Sequence, residues 1–358
     1  MLFRPHRLPL CDYPARRIVL IKPSALGDII HALPVLTALR RRFPAAHLAW
    51  VVNRSYEDLL RGHPDLDETI PFERRRRAWW SGMRYSLGFL AGLRRRRFDL
   101  VVDLQGLLRS GLMSFATGAA RKVGVGSARE GASWFYTDIV PDGGRAEVHA
   151  VDRYWSVVKA LGADGAKVFR FPAFAAEQTW ADETLHGWPR PWLAVGVGAR
   201  WMTKRWLPEH FAALLTRAQA AFGGTAVFVG AAEDEIASRA VAEKLAGSSF
   251  LLAGRTTLPQ LAALLGHADV MLANDTGPLH LAAALGRPVV APYTCTRARL
   301  TGPYGEAARG AVETRVWCAG SLLKRCVRME CMAELTPARL WPVLCEVLLQ
   351  WQSNSRSA

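Results

Sequence analysis

Two segments of this 358-residue chain place polar groups directly after apolar runs. In one, Val270-Met271-Leu272-Ala273 stops at Asn274-Asp275, turns through Thr276-Gly277-Pro278, and enters an Ala/Leu-rich helix that Gly286 ends. The backbone N–H groups at such a helix start carry the positive end of the helix dipole and suit a pyrophosphate. Gly277 lets the backbone approach closely, Thr276 offers a hydroxyl, and Asp275 and His280 add polar groups beside it. Taken alone, the segment reads as an ordinary strand-turn-helix capped by Asp or Thr.

A second, matching segment changes the odds. Ile18-Val19-Leu20-Ile21 reads as a buried parallel strand. It runs through Pro23-Ser24-Ala25-Leu26-Gly27-Asp28 into a helix whose Arg40-Arg41-Arg42 end suits a helix C-terminus. Asp28 falls at or near that helix start, as a cap worth roughly 1 kcal/mol or as a carboxylate at the C-terminal edge of a parallel sheet, where such folds bind ligands. His31, three residues on, shares its helical face.

These segments, with four more in order, resemble glycosyltransferase family 9, the ADP-heptose:lipopolysaccharide heptosyltransferases. Residues 22–34 are similar to the family's opening signature, and Asp103-Leu104-Gln105-Gly106-Leu107-Leu108-Arg109-Ser110 to its Asp-x-Gln-Gly-Leu segment. Ala128-Arg129-Glu130 with Trp134-Phe135-Tyr136 is similar to the heptosyltransferase I branch. His149-Ala150-Val151-Asp152-Arg153-Tyr154, Thr203-Lys204-Arg205-Trp206-Leu207-Pro208-Glu209 and residues 274–280 complete the set. One departure stands out: Ala199-Arg200 where some relatives of the heptosyltransferase I branch have Thr-Thr.

The resemblance implies an α/β chain of GT-B architecture, two Rossmann-like domains facing across a cleft. It implies inverting transfer of heptose from ADP-heptose to Kdo-lipid A or an already heptosylated core. Such a reaction needs a base for the acceptor hydroxyl and positive groups for the departing diphosphate. Carried over position by position, Asp28 is the base and Lys204 the leaving-group cation. Lys204, Glu233, Asp275, Thr276, Gly277 and His280 bind donor, with Asp234 the alternative to Glu233 at the ribose. Ser24, His31 and Arg109 face the acceptor. Such enzymes commonly work without bound metal; nothing resembles an Asp-x-Asp motif, and neither a metal nor a cofactor is expected.

The net charge of +15 is uneven: residues 1–170 hold 28 Lys+Arg against 16 Asp+Glu, and the rest 18 against 15. Arg74-Arg75-Arg76-Arg77 beside Trp79-Trp80, and Arg94-Arg95-Arg96-Arg97, fit an anionic membrane surface or equally a solvated helix face. A lipid-linked acidic acceptor accounts for the asymmetry better than nucleic acid, for which no module is recognised. No apolar run approaches the ~20 residues of a spanning helix, and 1–17 lacks a signal-peptide core. A cytoplasmic protein, peripheral on the inner face of the inner membrane, is expected. Cys295, Cys318, Cys326 and Cys331 lack a CxxC pair, so thiols without metal are expected.

Apolar runs at 18–21, 48–52 and 100–104 read as strands between helices at 35–42 and 87–97, with a helix at 151–161. Strands at 193–197, 226–230, 250–252, 270–273 and 289–292 alternate with helices at 208–221, 233–245, 258–267 and 278–285. This is the pattern of parallel sheets with helices on both faces. The domains are expected at 1–170 and 192–336, joined by a proline-rich linker at 171–191. A helix at 337–351 is expected to close the chain, with a disordered tail after it; the family resemblance implies that this helix packs back on the first domain.

Three alternatives define what must be excluded. One is a family 9 enzyme using another nucleotide sugar or glycan. A nucleotide-dependent oxidoreductase would need Gly-x-Gly-x-x-Gly after the first strand, where Lys22-Pro23-Ser24-Ala25-Leu26-Gly27 stands; Gly196-x-Gly198 lacks the third glycine. A non-catalytic lipid- or nucleic-acid-binding protein would tolerate loss of Asp28.

Overall fold

In a computed structural model the chain divides into two compact units, residues 1–173 and 174–358. The structure describes residues 8–73 and 79–357, so the 74–77 arginine block lies outside the described residues.

The first unit runs β1 (Arg17–Ile21), α1 (Leu26–Arg42), β2 (His47–Asn53), β3 (Glu68–Phe72), α2 (Trp79–Arg95), β4 (Leu100–Asp103), α3 (Leu108–Thr117), β5 (Arg121–Val125), β6 (Asp138–Val140) and α4 (Ala150–Ala160). All pairings are parallel and the order is β3-β2-β1-β4-β5-β6. β1 is buried from Ile18 to Ile21 because it is central, with β2 on one side and β4 on the other.

The second unit runs α5 (Ala175–Leu185), β7 (Trp192–Gly196), α6 (Pro208–Phe222), β8 (Thr225–Phe228), α7 (Glu235–Ala242), β9 (Ser248–Leu251), α8 (Leu258–His267), β10 (Val270–Ala273), α9 (Gly277–Ala284), β11 (Val289–Tyr293), α10 (Ala298–Thr301), β12 (Ala311–Glu313), α11 (Glu330–Glu334) and α12 (Pro337–Ser357). Its sheet, again parallel, is ordered β12-β11-β10-β7-β8-β9. Each sheet has a switch point, between β1 and β4 and between β7 and β10. There the chain leaves in opposite directions and opens a crevice at the strands' C-terminal ends.

Two expectations change. The stretch read as a linker holds α5, which packs on α8 and buries Ala181 and Leu185; Pro172, Pro189 and Pro191 flank this helix without entering it. The tail read as disordered continues α12 to Ser357, where Ser353 and Ser355 donate hydroxyls back to the carbonyls of Leu349 and Trp351. The buried face of α12 itself, Leu340, Leu344 and Leu348, belongs to the second unit's core against α6 and β11.

Candidate active site

Asp28 is the third residue of α1, and its Oδ2 accepts the Ala25 N–H at 3.1 Å. This is half of a capping box; Ala25 has no side-chain oxygen to return the bond. The other oxygen, Oδ1, accepts the Tyr154 hydroxyl at 3.3 Å and lies 3.8 Å from Lys22 Nζ. Lys22 leaves the C-terminal end of β1 and is 3% exposed, whereas the Asp28 side chain is 41% exposed. Burial alone would pull the Lys22 ammonium down, but the Asp28 charge and the Tyr154 contact hold it above its usual value. The ammonium also sits 5.1 Å over the Tyr154 ring. The result is a solvent-reaching carboxylate held from behind by a buried cation and a phenol.

Helix α4 supplies the other wall. His149 caps it by accepting the Val151 N–H, and its ring meets that of buried His31 edge-on at 5.3 Å. Arg153 and Tyr154 are buried on the same helix. Arg145 donates to the Ser127 carbonyl; burial and the nearby Arg153 and Arg129 charges lower its pKa. Asp28 and His31 thus come together with Lys22, Tyr154 and an arginine group. Ser24 sits, half-buried, in the β1–α1 turn. Arg109 has a different neighbourhood at the start of α3, over the Phe72 ring at 5.8 Å.

In the second unit the β7–α6 and β10–α9 connections meet at the switch point. Buried Asn274 joins them: it accepts the Trp206 N–H at 3.0 Å and donates to the Val197 carbonyl at 2.7 Å. Trp206, itself buried, anchors its indole N–H on the Leu335 carbonyl. The loop between them, held at both ends, carries Lys204, whose Nζ reaches Asp275 Oδ2 at 2.5 Å. The same carboxylate receives the Thr296 and Tyr293 hydroxyls and meets His280 Nε2 at 3.2 Å. Burial would raise the Asp275 pKa, yet the His280 hydrogen bond and the Lys204 charge outweigh it and hold it far below the usual carboxylate range. Asp275 is therefore an ionised, four-times-contacted anchor that places Lys204 beside the first turn of α9, where Thr276 is the cap residue and Gly277 the first helical residue.

Asp234 and Glu233 sit on a short turn after β8, and they differ. Asp234 caps its own turn through the Ala231 N–H and occupies the space that a side chain on Gly198 would fill. That contact, not a dinucleotide fingerprint, is what Gly198 serves. Glu233 is exposed.

The sequence reading missed Lys22 and Tyr154, which lie inside motifs it used but carry no polar periodicity of their own. It also missed an open concavity of about 840 Å³ lined by Arg200, Trp201, Arg205, Lys324 and Arg325. The ammonium groups of Lys204 and Lys324 both lie over the Trp201 ring, 4.9 and 5.5 Å from its centre. The 324–325 pair lies about 120 residues from Lys204, so spacing could not have joined them. All six cysteines are free, and Cys331 has Cys318, Cys326 and Cys295 as neighbouring thiols that, with burial, raise its pKa. Among the described residues no group of His, Cys, Asp and Glu is arranged to hold a metal ion.

Residues 87–332 match the family model described as glycosyltransferase family 9 (heptosyltransferase). The lipopolysaccharide heptosyltransferase 1 of Pseudomonas aeruginosa is 32% identical over 320 residues, 87% of each chain. The chain belongs to glycosyltransferase family 9. Among solved structures, a family 9 glycosyltransferase from Veillonella parvula superposes with a TM-score of 0.79 over 95% of this chain and 98% of that one, at 23% identity. The Escherichia coli heptosyltransferase WaaC, solved with ADP, gives 0.72 at 26% identity over 92% and 99%. As a family 9 member the chain is a glycosyltransferase with the two-Rossmann-unit GT-B fold.

Proposed function

We propose that this family 9 enzyme transfers heptose, with inversion, from ADP-heptose to the inner core of lipopolysaccharide, the acceptor being Kdo-lipid A or a heptosylated core. The observation that carries the reading is the Lys204–Asp275 pair at the first turn of α9: a fixed ammonium beside free backbone N–H groups is a receptor for a departing diphosphate. Support comes from relatives named for heptose transfer to lipopolysaccharide and from a relative solved with ADP.

In this mechanism Asp28 takes the proton of the acceptor hydroxyl as its oxygen bonds to the anomeric carbon of the donor. The bond from that carbon to the β-phosphate oxygen breaks, and its electron pair leaves with ADP. Lys204 and the α9 N–H groups stabilise that charge, with Thr276 and Gly277 at the phosphates. Lys22 and Tyr154 hold the Asp28 carboxylate in position. Asp275 and His280 act by holding Lys204. Glu233 is assigned to the ribose hydroxyls, since the Asp234 carboxylate is engaged by its own turn. Ser24, His31 and Arg109 are assigned to the acceptor, whose acidic groups match Arg129, Arg145 and Arg153. The basic first half is assigned to an anionic membrane surface, with the enzyme peripheral on its cytoplasmic side. Among the described residues no helix is long and apolar enough to cross a membrane.

Calorimetry with ADP-heptose, ADP-glucose, GDP-mannose and UDP-GlcNAc tests the donor. Selective binding of ADP-heptose is expected. Preference for another nucleotide sugar would overturn the substrate while leaving the family intact.

A further inference from the structure

The first unit carries an apolar face that its own core does not use. Helix α2 turns Tyr85, Phe89 and Leu93 toward the sheet, where they pack with Phe72 and Met113. Yet Met83 and Leu87, on a different stripe, are exposed, Leu87 by 60%. The neighbouring α3 does the same: Leu108, Leu112 and Phe115, at helical spacing i, i+4, i+7, are all exposed, Phe115 by 63%. Gly111 lets α3 approach the short turn at Ala132–Phe135, which presents Trp134, 85% exposed. A surface helix normally shows one apolar stripe, and contiguous exposed apolar area marks an interaction site.

Between α2 and α3 lies a groove of about 380 Å³, walled by Phe72, Phe89, Leu90, Leu108, Leu112 and Met113. Arg109 and Glu130 stand on its wall. The two helices contain Arg84, Arg94, Arg95 and Arg109 and no acidic residue, and all four arginines are exposed. Apolar side chains projecting from a cationic, acid-free helix pair match a leaflet of anionic lipid: charges at the phosphates, apolar side chains below them. A second copy of the chain fits worse, because a two-fold contact through this face would bring the arginines of both copies together.

We propose that the α2–α3 face docks on an anionic bilayer, with Leu87, Leu112, Phe115 and Trp134 inserted and the groove receiving an acyl chain of one of its lipids. This deepens the proposed function, on which it rests for the lipid-linked acceptor.

The test is co-sedimentation of the full chain with phosphatidylcholine vesicles with and without phosphatidylglycerol, for wild type and for Leu87→Asp/Phe115→Asp. Both positions are solvent-exposed and leave the core intact. Circular dichroism and the melting temperature check that. Wild type is expected to bind only the anionic vesicles. The variant, which keeps every arginine, is expected to lose more than about tenfold in binding. Transfer to a vesicle-embedded acceptor is expected to fall with it, while transfer to the same acceptor deacylated and free in solution stays unchanged. Equal binding of variant and wild type would overturn the proposal, as would a wild-type dimer that the variant abolishes. Vesicle binding requires neither donor nor acceptor, so a wild type that binds vesicles but transfers to neither acceptor contradicts the proposed function, not the docking face.

Discussion

Asp28 has one carboxylate oxygen engaged by the helix start and the other by Tyr154 and Lys22, so its capping and chemical roles are separable by substitution. Asp28→Asn keeps an amide oxygen for the Ala25 N–H but cannot take a proton. Turnover is expected to fall by roughly 10²- to 10⁴-fold with donor affinity and melting temperature preserved. Lys22→Met removes the buried cation behind that carboxylate. Turnover is then expected to fall while donor affinity is preserved, because the carboxylate loses the cation that positions it; turnover at the wild-type rate would remove Lys22 from the site. Lys204→Ala is expected to cost about 2–4 kcal/mol of transition-state stabilisation. It also strands the Asp275 carboxylate, so stability falls too. Adding Asp275→Asn is expected to recover part of the melting temperature and none of the turnover. The sign with pH follows from the depressed Asp275 pKa: the pair stabilises the fold above the unfolded carboxylate value and is lost as pH falls into the acid range. Of these residues, Asp28, Lys204 and Asp275 were named from their motif positions. Lys22 was hidden because nothing in a linear pattern says that a lysine ending a strand turns inward.

At the scale of elements, the strands at the middle of each sheet were legible and most of those toward its rims were not. β1, β4, β7 and β10 are buried on both faces and read as apolar runs, and α8 and β10 fall where the periodicity put them. β3 and β6 are edge strands with half-exposed, polar or proline positions, and β5 begins with Arg121-Lys122, so none shows an apolar run. The start of α1, placed at or near Asp28 from the motif, lies at Leu26; the apolar pattern alone showed only 35–42, because Gly27 and Pro34 mask a helix that its burial against α4 stabilises. The buried Asp103 at the end of β4 shows what an element end can hide. Burial raises its pKa, and it is held by the Tyr136 hydroxyl at 2.8 Å and by the N–H groups of Gln105 and Gly106. Gly124 has no side chain because the Tyr136 ring fills the space a Cβ would need. Tyr136→Phe leaves a buried carboxyl oxygen without its hydroxyl donor and is expected to cost about 1–3 kcal/mol, the range for a buried polar group left unsatisfied, read as a shift in the urea midpoint with m unchanged.

Across the whole molecule, the two sheets are both parallel and doubly wound, and Asp28 and Lys204 follow the central strands β1 and β7 that border the two switch points. Alternating apolar runs were enough to state that architecture, since each unit's central strands are its most apolar. The arginine asymmetry was legible as well, but the exposed apolar stripes beside it were not: Leu87 and Leu112 look like core residues until α2 and α3 are seen to turn them outward. The first unit also contains a buried pH-sensitive contact. His63 Nδ1 accepts the Asp65 N–H at 3.0 Å and Nε2 faces the Arg170 carbonyl at 2.9 Å, which fixes a neutral ring. Burial lowers its pKa, so the unfolded chain binds the proton more readily and stability falls as pH drops below the unfolded histidine value. The melting temperature of wild type is expected to decline more steeply from about pH 7 to about pH 5.5, the range of a histidine titration, than that of His63→Gln.

In the proposed mechanism Asp28 deprotonates the acceptor while the Lys204 side binds an ADP-sugar. Its most direct test is single-turnover transfer from ADP-heptose, with calorimetric donor binding in parallel, on wild type and Asp28→Asn. Transfer lost with donor binding intact is the expected result; an Asp28→Asn enzyme that transfers heptose at the wild-type rate would remove Asp28 as the base.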